Sequence, residues 1–188
     1  MASLPHGSPW ESAICDLRSI RRNTNKRIDV HLYCNHPHRY IKDYADAGAD
    51  IIYIFPESEH FAAIDLCMIR ELGKSPDLGL GWGVAPETLS ALLPLVDYVM
   101  VNIANPVAKQ RLVLDFAWDV PRKLVYMREA GGSNFRLLID GAVSLEVISR
   151  AASLGVDGFV LGTQGLFGQR EDYATSLSRI HGLLREYE

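Results

Sequence analysis

The chain has 188 residues, 48% of them hydrophobic, and 19 Lys and Arg against 23 Asp and Glu give a formal net charge of −4. That size buries a core, and the mixed, slightly acidic balance excludes the basic footprint of a nucleic-acid surface. The three cysteines (Cys15, Cys34, Cys67) fall in no CxxC or knuckle spacing, and no run approaches the ~20 apolar residues of a membrane span, which excludes a disulfide framework, a zinc ribbon and a membrane anchor.

Residues 1–10 lack the charged-then-apolar order of a secretion signal, so a reducing cytoplasm is expected. Ser8-Pro9-Trp10-Glu11 reads as a capping box with proline at the first helical position, and Trp10, Ala13, Ile14, Leu17 and Ile20 continue one helical face. Residues 27–33 (Arg-Ile-Asp-Val-His-Leu-Tyr) form the first predicted strand. Pro37, Tyr40, Ile41, Tyr44 and Ala45 mark a helix stopped at Gly48. Residues 51–55 are too apolar for a wet face and read as a buried parallel strand. Phe61, Ile64, Met68 and Leu72 carry the next helical stripe, residues 78–84 a glycine-containing strand, and Pro86-Glu87-Thr88 a short helix through Leu92 and Leu93. Residues 97–103 are the fourth strand. The least regular stretch, 105–132, is predicted as a long loop and then a helix over 118–128. Residues 135–140 and 158–162 are the fifth and sixth strands, and a closing helix from about Asp172 turns Tyr173, Leu177, Ile180 and Leu184 inward.

Alternating strand and helix implies a parallel sheet, because parallel neighbours are joined by crossovers. A dinucleotide-binding open sheet needs G-x-G-x-x-G after its first strand, whereas Cys34-Asn35-His36-Pro37 follows here. A closed barrel fits the grammar but typically runs to ~250 residues with eight units, and this chain supplies six. Two strands end on reactive side chains, His31 and Asp140. On the residues alone each keeps a plain alternative: His31 as a hydrogen-bonded strand residue, Asp140-Gly141 as a turn, Gly162-Thr163-Gln164-Gly165 as an ordinary strand-to-helix turn. Alternation puts Asp29 on the same side as His31, one pleat deeper, as a structural partner.

Asp29-Val30-His31-Leu32, Tyr40-Ile41-x-x-Tyr44-Ala45-x-Ala47-Gly48-Ala49-Asp50-Ile51-Ile52, Ile139-Asp140-Gly141 and Leu161-Gly162-Thr163-Gln164-Gly165-Leu166-Phe167, in this order, resemble the ribulose-phosphate 3-epimerase family. Gly162-Thr163-x-Gly165-Leu166-Phe167, with Phe55-Pro56-Glu57 and Pro86-Glu87-Thr88, leans towards its allulose-6-phosphate 3-epimerase branch. The resemblance implies an α/β fold, a TIM (β/α)8 barrel of the ribulose-phosphate-binding type. It implies epimerisation at C3 of a ketose phosphate, of the ribulose 5-phosphate or allulose 6-phosphate type, through a metal-stabilised enediolate. The family holds a divalent metal (Zn, Fe, Mn or Co) with two histidines and two aspartates, and the aspartates also exchange protons on opposite faces of the substrate. For this chain it implies His31 and Asp140 as metal ligands, Asp140 also as a catalytic acid/base, and Gly141, Ala142, Gly162, Thr163 and Gln164 as substrate- and phosphate-binding residues.

The chain departs from the family pattern at its front. The second-strand motif His-x-Asp-x-Met-Asp-Gly and the first-strand serine do not occur in it, and Met1 aligns just downstream of that motif. His6, in a Pro/Gly-containing lead-in, is a poor substitute. The expectation is a single partial barrel domain over residues 1–188, truncated relative to the family by its first two strands, with the metal lost or weakened. An exposed seam in such a barrel favours a homo-oligomer. Phe55 stands where the family often has histidine, Tyr33 where it has methionine, and Asn105-Pro106-Val107-Ala108-Lys109-Gln110 replaces a glycine-rich loop. Two alternatives follow: a degenerate family member that binds sugar phosphate without turnover, or another lyase or isomerase reaction through Asp140. Lysine chemistry has little support, since Lys42, Lys74, Lys109 and Lys123 lie on predicted helices or loops.

Overall fold

The computed structural model describes residues 9–104, 113, 115–131 and 133–187. His6, the Ser8 cap and the replaced loop at 105–110 lie outside the described residues. The chain divides into two compact units, Met1–Asp77 and Leu78–Glu188.

The first unit runs α1 (Pro9–Asn23), β1 (Asp29–Leu32), α2 (His38–Ala47), β2 (Ile51–Ile54), a 3-10 turn (Pro56–Ser58), α3 (Ala62–Glu71) and the start of β3 (Ser75–Gly81). β1 and β2 pair in parallel, from Asp29 opposite Ile51 to Leu32 opposite Ile54. The helix stop expected at Gly48 is real: its φ is +112°, and its N–H reaches back to Ala45 and Tyr44 carbonyls. A side chain there would also strike Arg21, whose Cγ lies 2.6 Å from the Cβ position. Arg21 needs that space. Its guanidinium donates to Asp50 Oδ2 at 2.7 Å and to the Thr24 carbonyl at 2.7 Å, while Asp50 Oδ2 also accepts from the Ile28 N–H at 2.8 Å. The foot of β1 is thereby tied to α1 and to the start of β2. Burial pushes the Asp50 carboxyl up, but the Ile28 N–H and Arg21 hold it below its ordinary range.

α3 is rotated from the predicted face. Phe61 and Ile64 are 66% and 65% exposed, and Ala62, Asp65, Leu66 and Ile69 point inward instead. Both sets have helical spacing, offset by one residue. The inward stripe carries a carboxyl and so reads as the polar side of the helix.

The second unit holds the rest of β3, β4 (Tyr98–Asn102), α4 (Asp119–Gly131), β5 (Arg136–Asp140), α5 (Leu145–Ala152), β6 (Gly158–Phe159) and α6 (Tyr173–Leu184). The helix predicted over 86–93 is two 3-10 turns, Pro86–Leu89 and Leu93–Leu95, because Pro94 cannot donate to a continuing helix. β3 begins three residues earlier than predicted, at Ser75, and β6 is shorter, although Val160 N–H still reaches the Ile139 carbonyl at 2.9 Å. In α6, Tyr173 and Leu177 are exposed, while Ser176 and Ile180 are buried. Ser176 tolerates burial because its hydroxyl donates to Glu171 at 2.9 Å.

The strand order is sequential, β1-β2-β3 in the first unit and β3-β4-β5-β6 in the second. The registered pairs are all parallel. A doubly wound sheet reverses its strand order at a switch point. There is no reversal among the described strands, so the six units follow the winding of a (β/α) barrel, as expected.

Candidate active site

In the first unit, His31 sits one residue before the end of β1. Its Nε2 lies 3.0 Å from Asp29 Oδ2, as the two-residue strand period requires, and its ring meets Tyr53 edge-on at 4.9 Å. The His31 hydrogen bond holds the Asp29 carboxyl below its ordinary range. Two departures from the family pattern touch each other just beyond: Tyr33 and Phe55 are edge-to-face at 4.7 Å. Past them, the loops after β1 and β2 bring His36, His38 and Glu59 together, with one donor atom from each all within 4.8 Å of one another. Sequence reasoning passed over this cluster. The His-Pro-His spacing was a visible signal, but Glu59, 21 residues from His38, was not.

Asp65 lies inward on α3, 2% exposed, and its Oδ2 has no hydrogen-bond partner. Burial, and then the Glu59 charge, push its carboxyl up to about 6, with His38 pulling the other way. Glu59 is held the opposite way: burial works against its charged form, but the Phe61 N–H and His38 keep it below the ordinary range.

In the second unit, Asp140 ends β5 opposite Asn102, the last residue of β4. Its Oδ1 accepts the Gly141 N–H at 2.6 Å, and Oδ2 takes no hydrogen bond among the described residues. The chain then turns through two left-handed residues, Gly141 (φ +87°) and Ala142 (φ +52°). Only glycine fits the first: a Cβ there would fall 2.4 Å from Asn102 Oδ1, itself accepting the Ala104 N–H at 3.0 Å. Asn102 is thus a positioning residue that sequence reasoning left as an ordinary strand member.

The segment Gly162-Thr163-Gln164-Gly165 follows β6 as a turn, with no helix until Tyr173. Gly165 lies against the first turn, since a Cβ on it would come 2.6 Å from the Val143 carbonyl. The two stretches expected to hold phosphate are therefore neighbours. Gln169 donates to the Thr163 and Gln164 carbonyls at 2.7 and 3.2 Å, and no hydrogen bond among the described residues takes up the N–H groups of Thr163, Gln164 or Gly165. Amides left free in a turn make an anion-binding concavity.

His31 and Asp140 are the two of the family's metal ligands that the 188 residues contain, one in each unit, and His31 Nε2 is already engaged by Asp29.

Sequential parallel strands joined by crossover segments define a (β/α)-barrel protein. Solved structures agree on the fold. A 3-hexulose-6-phosphate synthase from Salmonella typhimurium superposes with a TM-score of 0.70 at 17% identity, over 93% of this chain and 81% of that one. A 3-keto-L-gulonate-6-phosphate decarboxylase from Vibrio cholerae gives 0.69 at 15% identity, over 93% and 80%. The model of the Ribulose-phosphate 3 epimerase family matches residues 13–167. The ribulose-phosphate 3-epimerase of Buchnera aphidicola is 31% identical over 170 residues, covering 90% of this chain and 74% of that protein. That of Treponema pallidum is 30% identical over 147 residues, covering 78% and 67%. The chain belongs to the ribulose-phosphate 3-epimerase family. Among the described residues no helix is long and apolar enough to cross a membrane.

Proposed function

We propose that this chain acts on a ketose phosphate, epimerising it at C3, with Asp140 transferring the proton on one face of the substrate. Family membership carries the proposal, and the second unit supports it chemically. The Asp140 carboxylate is fixed at a strand end by one oxygen and leaves the other to a substrate C–H. In the same reading Gly141, Ala142, Gly162, Thr163 and Gln164 form the phosphate anchor. The adjacency of the two turns supports it, because a phosphate needs several amides converging on one point. The substrate in this reading is ribulose 5-phosphate or allulose 6-phosphate, and the chain is one domain over residues 1–188 that forms a homo-oligomer in a cytoplasmic setting, consistent with three free cysteines. His31 is held at the end of β1 by Asp29, 3.0 Å from its Nε2.

A second reading has one observation in its favour. Phe55 stands where the family often has histidine and packs edge-to-face against Tyr33 at 4.7 Å, so the family's polar set is altered in the first unit. Sugar-phosphate binding without turnover accommodates that. Epimer formation from each ketose phosphate, measured beside thermal shift, separates the readings. Turnover that falls about 10²- to 10⁴-fold in Asp140→Asn supports the first. Stabilisation by ketose phosphate without turnover supports the second. The absence of both turnover and stabilisation overturns both readings.

A further inference from the structure

We propose that His36, His38 and Glu59 form a divalent-metal site of the zinc or cobalt(II) class, distinct from the ligand set that the family resemblance assigns. Two imidazoles and a carboxylate make a donor set that borderline metals favour, and three protein ligands leave a fourth position open to water or an anionic oxygen. Ligand atoms around a tetrahedral zinc with bonds of about 2.1 Å lie roughly 3.4 Å apart. His38 Nδ1 and Glu59 Oε2 are already 3.1 Å apart, so little movement is needed to seat an ion between them.

The surroundings hold these donors in place. Pro37 lies between the two histidines in the right-handed helical region and starts α2, while His36 before it adopts a left-handed φ of +56°, uncommon for a residue with a side chain. Glu59 is oriented from behind: its side chain is 2% exposed, and Oε1 accepts the Phe61 N–H at 3.1 Å. A partner of this kind fixes a metal-binding carboxylate. The Phe61 N–H engages Oε1 and leaves Oε2 to face the imidazoles, 3.1 Å from His38 Nδ1.

Asp65 is the independent observation. On the helix that follows Glu59, its carboxyl is buried with Oδ2 lacking any hydrogen-bond partner, a group that a cation bound beside it stabilises. His31 lies outside this donor set, with its Nε2 against Asp29 Oδ2.

Equilibrium dialysis of the full chain against zinc, with metal content per chain, tests the site, and the visible absorption of the cobalt(II) form reports the donor geometry. The wild-type chain is expected to retain a single zinc, as is His31→Ala. The double variant His36→Ala/His38→Ala is expected to lose it. Glu59→Gln keeps an oxygen for the Phe61 N–H and is expected to bind about 10- to 100-fold more weakly, which decides the question should the double variant fail to fold. A wild-type chain that holds no zinc, a folded double variant or a Glu59→Gln chain that binds as wild type does, or equal loss in His31→Ala, overturns the proposal.

Discussion

Replacing Asp65 with Asn tests whether the inward carboxyl of α3 is a strained group or a well-accommodated one. Burial and the Glu59 charge lift its pKa from 3.8 to about 6 in the folded chain. A gap of roughly two units at about 1.36 kcal/mol each sets a ceiling near 3 kcal/mol on what the charged form costs at neutral pH. Between the two values the folded chain keeps a proton that the unfolded chain has released. The stability this contributes is therefore complete below about pH 4 and is lost as pH rises through about 6. Asn removes the titration. Thermal unfolding followed by circular dichroism in chelator should show the variant close to wild type at pH 4 and more stable at pH 8. For a chain of this size the ceiling corresponds to a gain of roughly 6–12 °C. An advantage of equal size at both pH values, or a variant less stable at pH 8, refutes the reasoning.

Arg21→Ala removes the guanidinium from Asp50 and from the Thr24 carbonyl, and urea unfolding should show a loss of about 2–3 kcal/mol, reduced in Asp50→Ala, where the ion pair is already gone. Gly141→Ala forces a side chain onto Asn102 at a positive φ, so a cost of at least about 1–3 kcal/mol should accompany a loss of turnover in the epimerase assay. His31→Ala removes the hydrogen bond that holds the Asp29 carboxyl below its ordinary range, and the Asp29 carboxyl pKa read by NMR should rise relative to wild type. Sedimentation velocity on the full chain should show a species larger than the 188-residue monomer.

The strands were legible because each is a short apolar run bounded by turn residues, and the observed ends differ from the predicted ones by a few residues. Helix faces were harder. In α3 the large side chains of Phe61 and Ile64 dominate the periodicity, yet the helix turns Asp65 inward beside Leu66 and Ile69. In α6 Ser176 takes the inward place given to Leu177, because Glu171 satisfies its hydroxyl. A pattern of hydropathy counts both polar residues as outward, and the partners that make burial tolerable are invisible to it. The candidate site divides along the same line. Asp140 and the glycine turns stand in contiguous motifs, whereas the meeting of Glu59 with His36 and His38 depends on two loops that adjoin only after β1 and β2 have paired.

Solvent exchange tests proton transfer by Asp140 most directly. The full chain, incubated with ribulose 5-phosphate in deuterium oxide, should move deuterium onto C3 as followed by NMR, and Asp140→Asn should abolish the exchange. Exchange that persists unchanged in the variant, or a C3 proton that never leaves in the wild-type chain, contradicts the account.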